Sequence, residues 1–212
     1  MRGRIVLICG LAALCTGVAS AGPAAPPSAL LHPAKLTAHA PRTFTVTFRT
    51  SKGSFVVTVH RTWSPRGADR FYNLVRNRFY DGQKVFRVVP HFVVQFGISA
   101  YPQVSAAWAS VDIPDDPSTG HHNVRSTIAF ASAGPNTRTT QVFINTGDNV
   151  QLDGYGFTPF GAVTSGMKTI DSLYGGYADR PTPHQAEMAQ QGNAYFRTHW
   201  PRLDTIVSAR IR

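Results

Sequence analysis

The sequence predicts a mainly β domain, a closed or nearly closed β-barrel capped by two α-helices. Hydrophobic residues make up 42% of the 212 residues and charged residues only 15%, which is too apolar for a disordered chain. The 18 glycines and 15 prolines interrupt the chain too often for a helical bundle. Many short strand-like runs and only two segments with helical spacing complete the pattern. The length favours one domain with appendages.

The first 21 residues have the architecture of a signal peptide. Arg2 and Arg4 form a positive start, residues 5–18 are apolar, and residues 19–21 give a small-residue cleavage site. A membrane anchor is the alternative, but a spanning helix needs about 20 apolar residues. Both cysteines lie in this segment, each after a bulky residue, which gives lipid attachment little support. We therefore expect an exported protein, periplasmic or secreted, with neither disulfide nor membrane insertion after cleavage.

Residues 22–42 form the second predicted segment, a tether rich in proline and alanine. Five prolines fix the backbone and remove hydrogen-bond donors, which favours an extended linker. The alternative is a first strand that packs on the domain, since Leu30 and Leu31 could be buried. The folded domain is then predicted to span residues 43–212.

The domain begins with a predicted β-hairpin followed by a helix. Apolar and polar residues alternate over 44–48 and resume over 55–59, with turn residues between them. Ser64 then supplies an N-cap, and Pro65 suits the first helical position. Apolar residues at helical spacing predict about three turns ending near Asn77.

The rest of the domain is predicted to be mostly short strands. A dense strand region covers 85–97 and is interrupted at Pro90 and His91. A second short helix is predicted over 166–174, starting from Ser165. Further strands are predicted over 127–131, 141–146 and 160–163.

The residues that could carry chemistry are few. Without a cysteine after cleavage, thiol catalysis is excluded. The histidines are scattered, and the adjacent pair His121 and His122 has no ligand partner at metal-binding spacing. Glu187 is the only glutamate, so paired-carboxylate hydrolysis has little support. Gly134 is followed by Pro135, which lacks the backbone N–H that a phosphate-binding loop would need at this position. The sequence thus predicts neither a metal nor a cofactor.

One arginine stands out because it lies inside an apolar strand. Arg87 follows Phe86 and precedes two valines, and Gln95 has the same parity eight residues later. A polar group on a core face must be satisfied or in use. Two interpretations stay open here: a functional arginine, or a structural one that is paired with an aspartate.

Around this arginine the sequence resembles the cyclophilin family of peptidyl-prolyl cis-trans isomerases. Four groups of motifs occur in the family's order within about 43–212. They are residues 86–95, residues 131–137, residues 141–145, and residues 152–154 with Phe160 and Gly161. The pattern looks most like the exported or periplasmic bacterial branch, including residues 115–117 and 192–195.

The resemblance implies an eight-stranded antiparallel closed barrel with two capping helices and a cofactor-independent isomerase. Arg87 matches the family's catalytic arginine. The residues that match the peptide-binding surface are Phe92, Val93, Gln95, Ala131, Ser132, Ala133, Gln141, Phe143 and Leu152. Phe157 is expected to fill the place of the family's pocket histidine.

Several positions depart from the family's pattern. Ser132 replaces the usual asparagine, Val93 stands where many members have methionine, and Phe96 replaces a glycine. Gln151 stands where many eukaryotic members have the tryptophan that contacts cyclosporin. The resemblance therefore implies weak sensitivity to that drug.

Three functional classes follow. The leading one is a monomeric exported isomerase that accelerates rotation of X–Pro bonds in folding proteins, with proline-containing polypeptides as partners. The second is a low-turnover proline-peptide binding or chaperone module of the same fold, motivated by Ser132 and the missing histidine. The third is a basic scaffold for anionic surfaces, because the net charge is +10, or +8 after two arginines leave with the signal. The dispersed arginines argue against a nucleic-acid partner.

Overall fold

The computed structural model describes residues 25–212. The predicted signal peptide, residues 1–21, lies outside the described residues, as do both cysteines. Among the helices formed by residues 25–212, none is both long enough and apolar enough to cross a membrane.

Within residues 25–212 the chain forms eight strands, and every neighbouring pair in their single sheet is antiparallel. The predicted hairpin and each predicted short strand are present, and a last strand that the pattern did not predict is added. The strands are β1 (Thr43–Thr50), β2 (Gly53–His60), β3 (Arg87–Val89), β4 (Val93–Phe96), β5 (Thr127–Phe130), β6 (Val142–Asn145), β7 (Pro159–Ser165) and β8 (Ile206–Ile211). Their order across the sheet is β3-β4-β6-β5-β7-β2-β1-β8.

The sheet is a curled half-barrel, whereas the prediction was a closed barrel. In the described chain β3 and β8 form its two edges and share no ladder. The segment just before β3 spans part of the gap: Val85 N donates to Asp204 O at 3.0 Å, and Gly82 N donates to Ile206 O at 2.8 Å. Gly82 has a φ of +75° and Gln83 donates its side-chain amide back to Phe79 O, so this stretch follows a turn and not a strand.

The helices are more numerous than predicted. The two predicted ones are α1 (Pro65–Arg76), with Asn77 as its C-cap, and the shorter α3 (Met167–Asp171). Residues 25–212 form three more, namely α2 (Pro102–Trp108), α4 (Gln185–Gln191) and α5 (Asn193–His199). Each of these has seven residues, which is too short for a sustained 3.6-residue period to stand out in the sequence.

The start of α1 is capped from a distance. Ser64 occupies the predicted N-cap position, but its hydroxyl makes no cap hydrogen bond to the helix and donates instead to Asp116 Oδ2 at 2.5 Å. Asp116 in turn accepts hydrogen bonds from the backbone N–H groups of Arg66 at 3.1 Å and Gly67 at 3.0 Å. A carboxylate thus satisfies the first free donors of the helix and complements the positive end of its dipole.

The core between α1 and the concave face of the sheet is aromatic. Phe48 lies 6.3 Å from Phe71, 6.0 Å from Tyr80 and 5.7 Å from Phe96, measured between ring centres. Phe160 completes the cluster at 4.9 Å from Phe71. Phe96, which the resemblance sets against a glycine, therefore points into this core.

The described part of the predicted tether, residues 25–42, is packed against the domain. Two short 3-10 turns, Ser28–Leu31 and Pro33–Lys35, replace the expected extended linker. Leu30 is buried, and its carbonyl accepts a hydrogen bond from Trp108 Nε1 at 2.9 Å. Asn73 of α1 donates to Ala38 O at 2.7 Å. The tether prediction is corrected here, because a buried leucine and paired backbone groups hold the segment in place.

Candidate active site

Strand register places the singled-out arginine on the outer face of the sheet. Arg87 of β3 is paired with Gln95 of β4, Gln95 with Phe143 of β6, and Phe143 with Ala129 of β5. Directly paired residues project to the same face, and successive residues alternate. Val93 therefore joins this row, while Val94 and Phe96 face the core.

This row forms the floor of a cavity of about 240 Å³. The cavity is lined by Arg87, Phe92, Val93, Gln95, Ala131, Ser132, Phe143, Leu152, Phe157, Thr182 and Gln185. A neighbouring groove of about 550 Å³ shares Gln95, Ala131 and Ser132 and adds Ala133 and Gln141. The structure thus brings together every candidate site residue named from the sequence. Phe157, which the resemblance suggests in place of the family's pocket histidine, lies edge-on to Phe143, 5.5 Å between ring centres.

The Arg87 guanidinium is held from three sides. Its Nη1 donates to Gln95 Oε1 at 3.2 Å, and its Cζ lies 5.4 Å from the centre of the Phe92 ring. Its Nε donates to Asp179 Oδ1 in an ion pair. The side chain is 23% exposed. The arginine is therefore paired with an aspartate and also lines the cavity, so the two interpretations left open by the sequence do not exclude each other.

A chain of amide side chains extends from the arginine along the groove. Gln95 Nε2 donates to Gln141 Oε1 at 2.9 Å, and Gln141 Nε2 donates to Gln185 Oε1 at 2.8 Å. In Gln95 and Gln141 the amide oxygen accepts one hydrogen bond and the amide nitrogen donates one, which leaves each side chain a second N–H and a second oxygen lone pair. The line of polar groups can therefore hold a peptide backbone beside the apolar cavity.

The loop that carries Leu152 and Phe157 is fixed from behind by Asn123. Asn123 Nδ2 donates to Phe157 O at 2.6 Å and to Asp153 Oδ1 at 2.7 Å. Burial opposes ionisation of Asp153, but hydrogen bonds from Asn123 and His122 outweigh it and hold its pKa below the ordinary 3.8. His122 therefore helps to fix this loop through Asp153. Within residues 25–212, no group of three or more His, Cys, Asp or Glu side chains is suited to binding a metal.

Four residues of the site were missed by the sequence reasoning. Asp179, Thr182 and Gln185 come from the segment around α4, about 90 residues after β3, and Asn123 lies in a loop. None belongs to a periodic run or a motif, so no local signal marks them. The packing of α4 and α5 onto Phe86 and Ile98, together with the β-bridge between Ala178 and Val88, brings the first three close to Arg87 and the cavity.

The residues that line the 240 Å³ cavity include no histidine, cysteine or carboxylate. Arg87 is the charged side chain among them, next to an apolar slot and amide groups. Such a site has no acid–base pair for proton transfer. It can bind an apolar ring and direct a charged donor at a polar atom beside that ring.

Known proteins share this fold and sequence pattern. Residues 45–191 match the family model described as "Cyclophilin type peptidyl-prolyl cis-trans isomerase/CLD". A peptidyl-prolyl cis-trans isomerase of Acinetobacter baylyi is 32% identical over 143 residues, covering 65% of this chain and 76% of that protein. Peptidyl-prolyl cis-trans isomerase B of Escherichia coli is 30% identical over 148 residues, covering 66% and 90%.

A solved structure agrees in fold. The crystal structure of a cyclophilin type peptidyl-prolyl cis-trans isomerase from Cryptosporidium parvum gives a TM-score of 0.60 at 18% identity, covering 80% of this chain and 98% of that one. A second structure of that protein was determined in the presence of the dipeptide Ala-Pro. With the family model spanning well over half of its residues, the chain belongs to the cyclophilin-type peptidyl-prolyl cis-trans isomerase family.

Proposed function

We propose that the protein accelerates rotation of X–Pro bonds in exported proteins as they fold, with Arg87 as the catalytic residue. The observation that carries the proposal is the Arg87 guanidinium at the edge of a cavity walled by Phe92, Val93 and Phe143. Isomerisation of such bonds takes tens of seconds unaided and can limit folding. The Ala-Pro dipeptide that accompanies the Cryptosporidium relative supports a proline ring as the occupant.

The proposed mechanism follows from the electronic structure of the amide. The barrier of ~18–20 kcal/mol exists because the nitrogen lone pair is delocalised into the carbonyl. Twisting the bond localises that lone pair on nitrogen. A guanidinium N–H of Arg87 aimed at the prolyl nitrogen binds the twisted amide better than either planar isomer, which is the differential binding that catalysis requires.

Arg87 cannot supply the whole effect. A hydrogen bond from a charged donor contributes ~1.5–3 kcal/mol, whereas a 10⁵-fold acceleration needs about 7 kcal/mol. The remainder is assigned to the apolar walls, which hold the proline away from water. The amides of Gln95 and Gln141 and the strip from Ala131 to Ala133 hold the backbone while one side of the bond rotates.

The test measures exchange between cis and trans forms of an Ala-Pro peptide by NMR, using residues 22–212. We expect Arg87→Ala to lower kcat/KM by about 10-fold to 100-fold, the range of one charged hydrogen bond. The matched control is Arg125→Ala, because Arg125 is also ion-paired, to Asp171, but does not line the cavity. A wild type that binds the peptide without accelerating exchange would favour the binding-module alternative. An Arg87→Ala variant as fast as the wild type would remove the catalytic role.

Export rests on the sequence of residues 1–21 alone. Cleavage after residue 21 would give a mature protein that starts at Gly22, which N-terminal sequencing of the secreted or periplasmic fraction would detect. Recovery of a chain that keeps Met1 in the membrane would support an anchor. We also propose that the protein is a monomer, to be tested by sedimentation equilibrium.

A further inference from the structure

The segment 177–185 lies directly against the proposed catalytic arginine. It is anchored at both ends: Ala178 forms a β-bridge with Val88, the residue after Arg87, and Gln185 accepts a hydrogen bond from Gln141 at 2.8 Å. Tyr177 packs edge-on against Trp200, 5.1 Å between ring centres. These contacts hold Asp179 beside Arg87 through the fold, independently of the ion pair itself.

The ion pair uses one particular edge of the guanidinium. Arginine presents five N–H groups in a fixed planar fork. Asp179 takes the Nε hydrogen and Gln95 takes one hydrogen on Nη1. Both Nη2 hydrogens and the second Nη1 hydrogen remain available to donate to a bound peptide. Two acceptors on different edges of one plane fix its orientation, whereas Gln95 alone would leave the plane free to turn about that bond.

Asp179 contacts one edge of the Arg87 guanidinium. The Asp179 side chain is 59% exposed, so water screens its attraction to the guanidinium. The hydrogen bond to Nε therefore orients the guanidinium without using its Nη groups. Asp179 does not line the 240 Å³ cavity, and it contacts the arginine at its Nε edge.

We propose that Asp179 is a positioning residue, which fixes the plane of the Arg87 guanidinium so that its free N–H groups face the prolyl nitrogen. The proposal rests on the catalytic role of Arg87 given above. It differs from two other roles that an ion pair at this place could have. If the ion pair only stabilised the fold, Asp179→Ala would change unfolding and leave turnover unchanged. If Asp179 competed with the substrate for Arg87, Asp179→Ala would turn over faster than the wild type.

The test compares Asp179→Ala and Asp179→Asn with Asp171→Ala as the matched control. Asp171 pairs with Arg125 at 2.7 Å and is 43% exposed, so its removal deletes a similar ion pair outside the cavity. We expect Asp179→Ala to lower kcat by up to about fivefold, the size of a partly exposed ion pair, with KM within twofold. Asp179→Asn keeps an acceptor oxygen for Nε and should restore most of the rate. Asp171→Ala should match the wild type.

A signal independent of turnover is the Nε–H resonance of Arg87. We expect Asp179→Ala to shift and broaden this resonance, whereas Asp171→Ala should leave it unchanged. Thermal unfolding of each variant serves as the control for folding. An unchanged or increased kcat in Asp179→Ala, with Arg87→Ala slow, would overturn the positioning role and leave the proposed function standing. Equal losses in Asp179→Ala and Asp179→Asn would overturn the hydrogen-bond assignment. An Arg87→Ala variant as fast as the wild type would overturn both proposals.

Discussion

Removal of the Asp116 carboxylate should destabilise the protein more than any other single aspartate change near it. Asp116 is buried and accepts hydrogen bonds from Ser64 Oγ, from two backbone N–H groups at the start of α1, and from Arg138 Nη2 at 3.1 Å. Arg138 is itself only 3% exposed. Asp116→Ala would therefore leave a buried guanidinium and the donors of a helix end short of their acceptor.

The magnitude follows from these two losses. Removing one partner of a buried ion pair costs about 3–5 kcal/mol, and loss of a helix cap costs about 0.5–2 kcal/mol. The two overlap, and Asp115 Oδ1 stays 3.1 Å from Arg138 Nε. We therefore expect the free energy of unfolding to fall by about 3–5 kcal/mol in total. At about 2–4 °C per kcal/mol for a chain of this size, the melting temperature should drop by about 6–20 °C.

Urea and thermal unfolding of Asp116→Ala, Asp115→Ala and the wild type test this reasoning. Asp115 contacts the same arginine but is 33% exposed, so Asp115→Ala should cost no more than about 1 kcal/mol. Equal losses in the two variants, or a loss under about 1 kcal/mol for Asp116→Ala, would refute the argument from burial.

The same residue gives a pH dependence with a definite sign. Burial opposes ionisation of Asp116, but hydrogen bonds from Ser64 and the helix start, with the charge of Arg138, hold its pKa below 3.8. A carboxyl whose pKa is lower in the folded than in the unfolded state stabilises the fold above the unfolded value, and that contribution is lost as pH falls through the folded value. The difference between wild type and Asp116→Ala should therefore shrink below about pH 4.

Three other changes test other parts of the structure. Leu30→Ala should lower the free energy of unfolding by about 2–5 kcal/mol in urea, because it empties a buried site, whereas the exposed Leu31→Ala should change it by less than about 0.5 kcal/mol. Gln151→Trp should strengthen the weak inhibition by cyclosporin that the family resemblance implies, as read from peptide exchange rates; equal inhibition of both forms would contradict this. Asn123→Ala should raise KM for an Ala-Pro peptide several-fold, because the loop with Phe157 loses its anchor, and an unchanged KM would show that the loop holds itself.

The sequence alone predicts the local secondary structure around the first hairpin, α1 and the strand of Arg87. Alternation over 44–59 specified the first hairpin, and Pro65 with helical spacing specified α1 to within a residue. The shared parity of Arg87 and Gln95 placed both on one face, and their cross-strand register confirms it. These features depend on periods of 2 and 3.6 residues, which a sequence shows directly. The motifs around them identified the family.

The structure alone decided the features that join distant parts of the chain. Asp179 meets Arg87 across 92 positions, Trp108 holds Leu30 across 78, and Asp116 caps α1 across 49. No local pattern encodes such pairs, because each depends on which surfaces the helices and strands present after they pack. Whether the sheet closes into a barrel also depends on tertiary packing, because it is decided by whether the chain before β3 forms a strand or a turn beside β8. The sequence thus determined the family, the floor of the cavity and the arginine in it, while tertiary packing determined what holds that arginine in place.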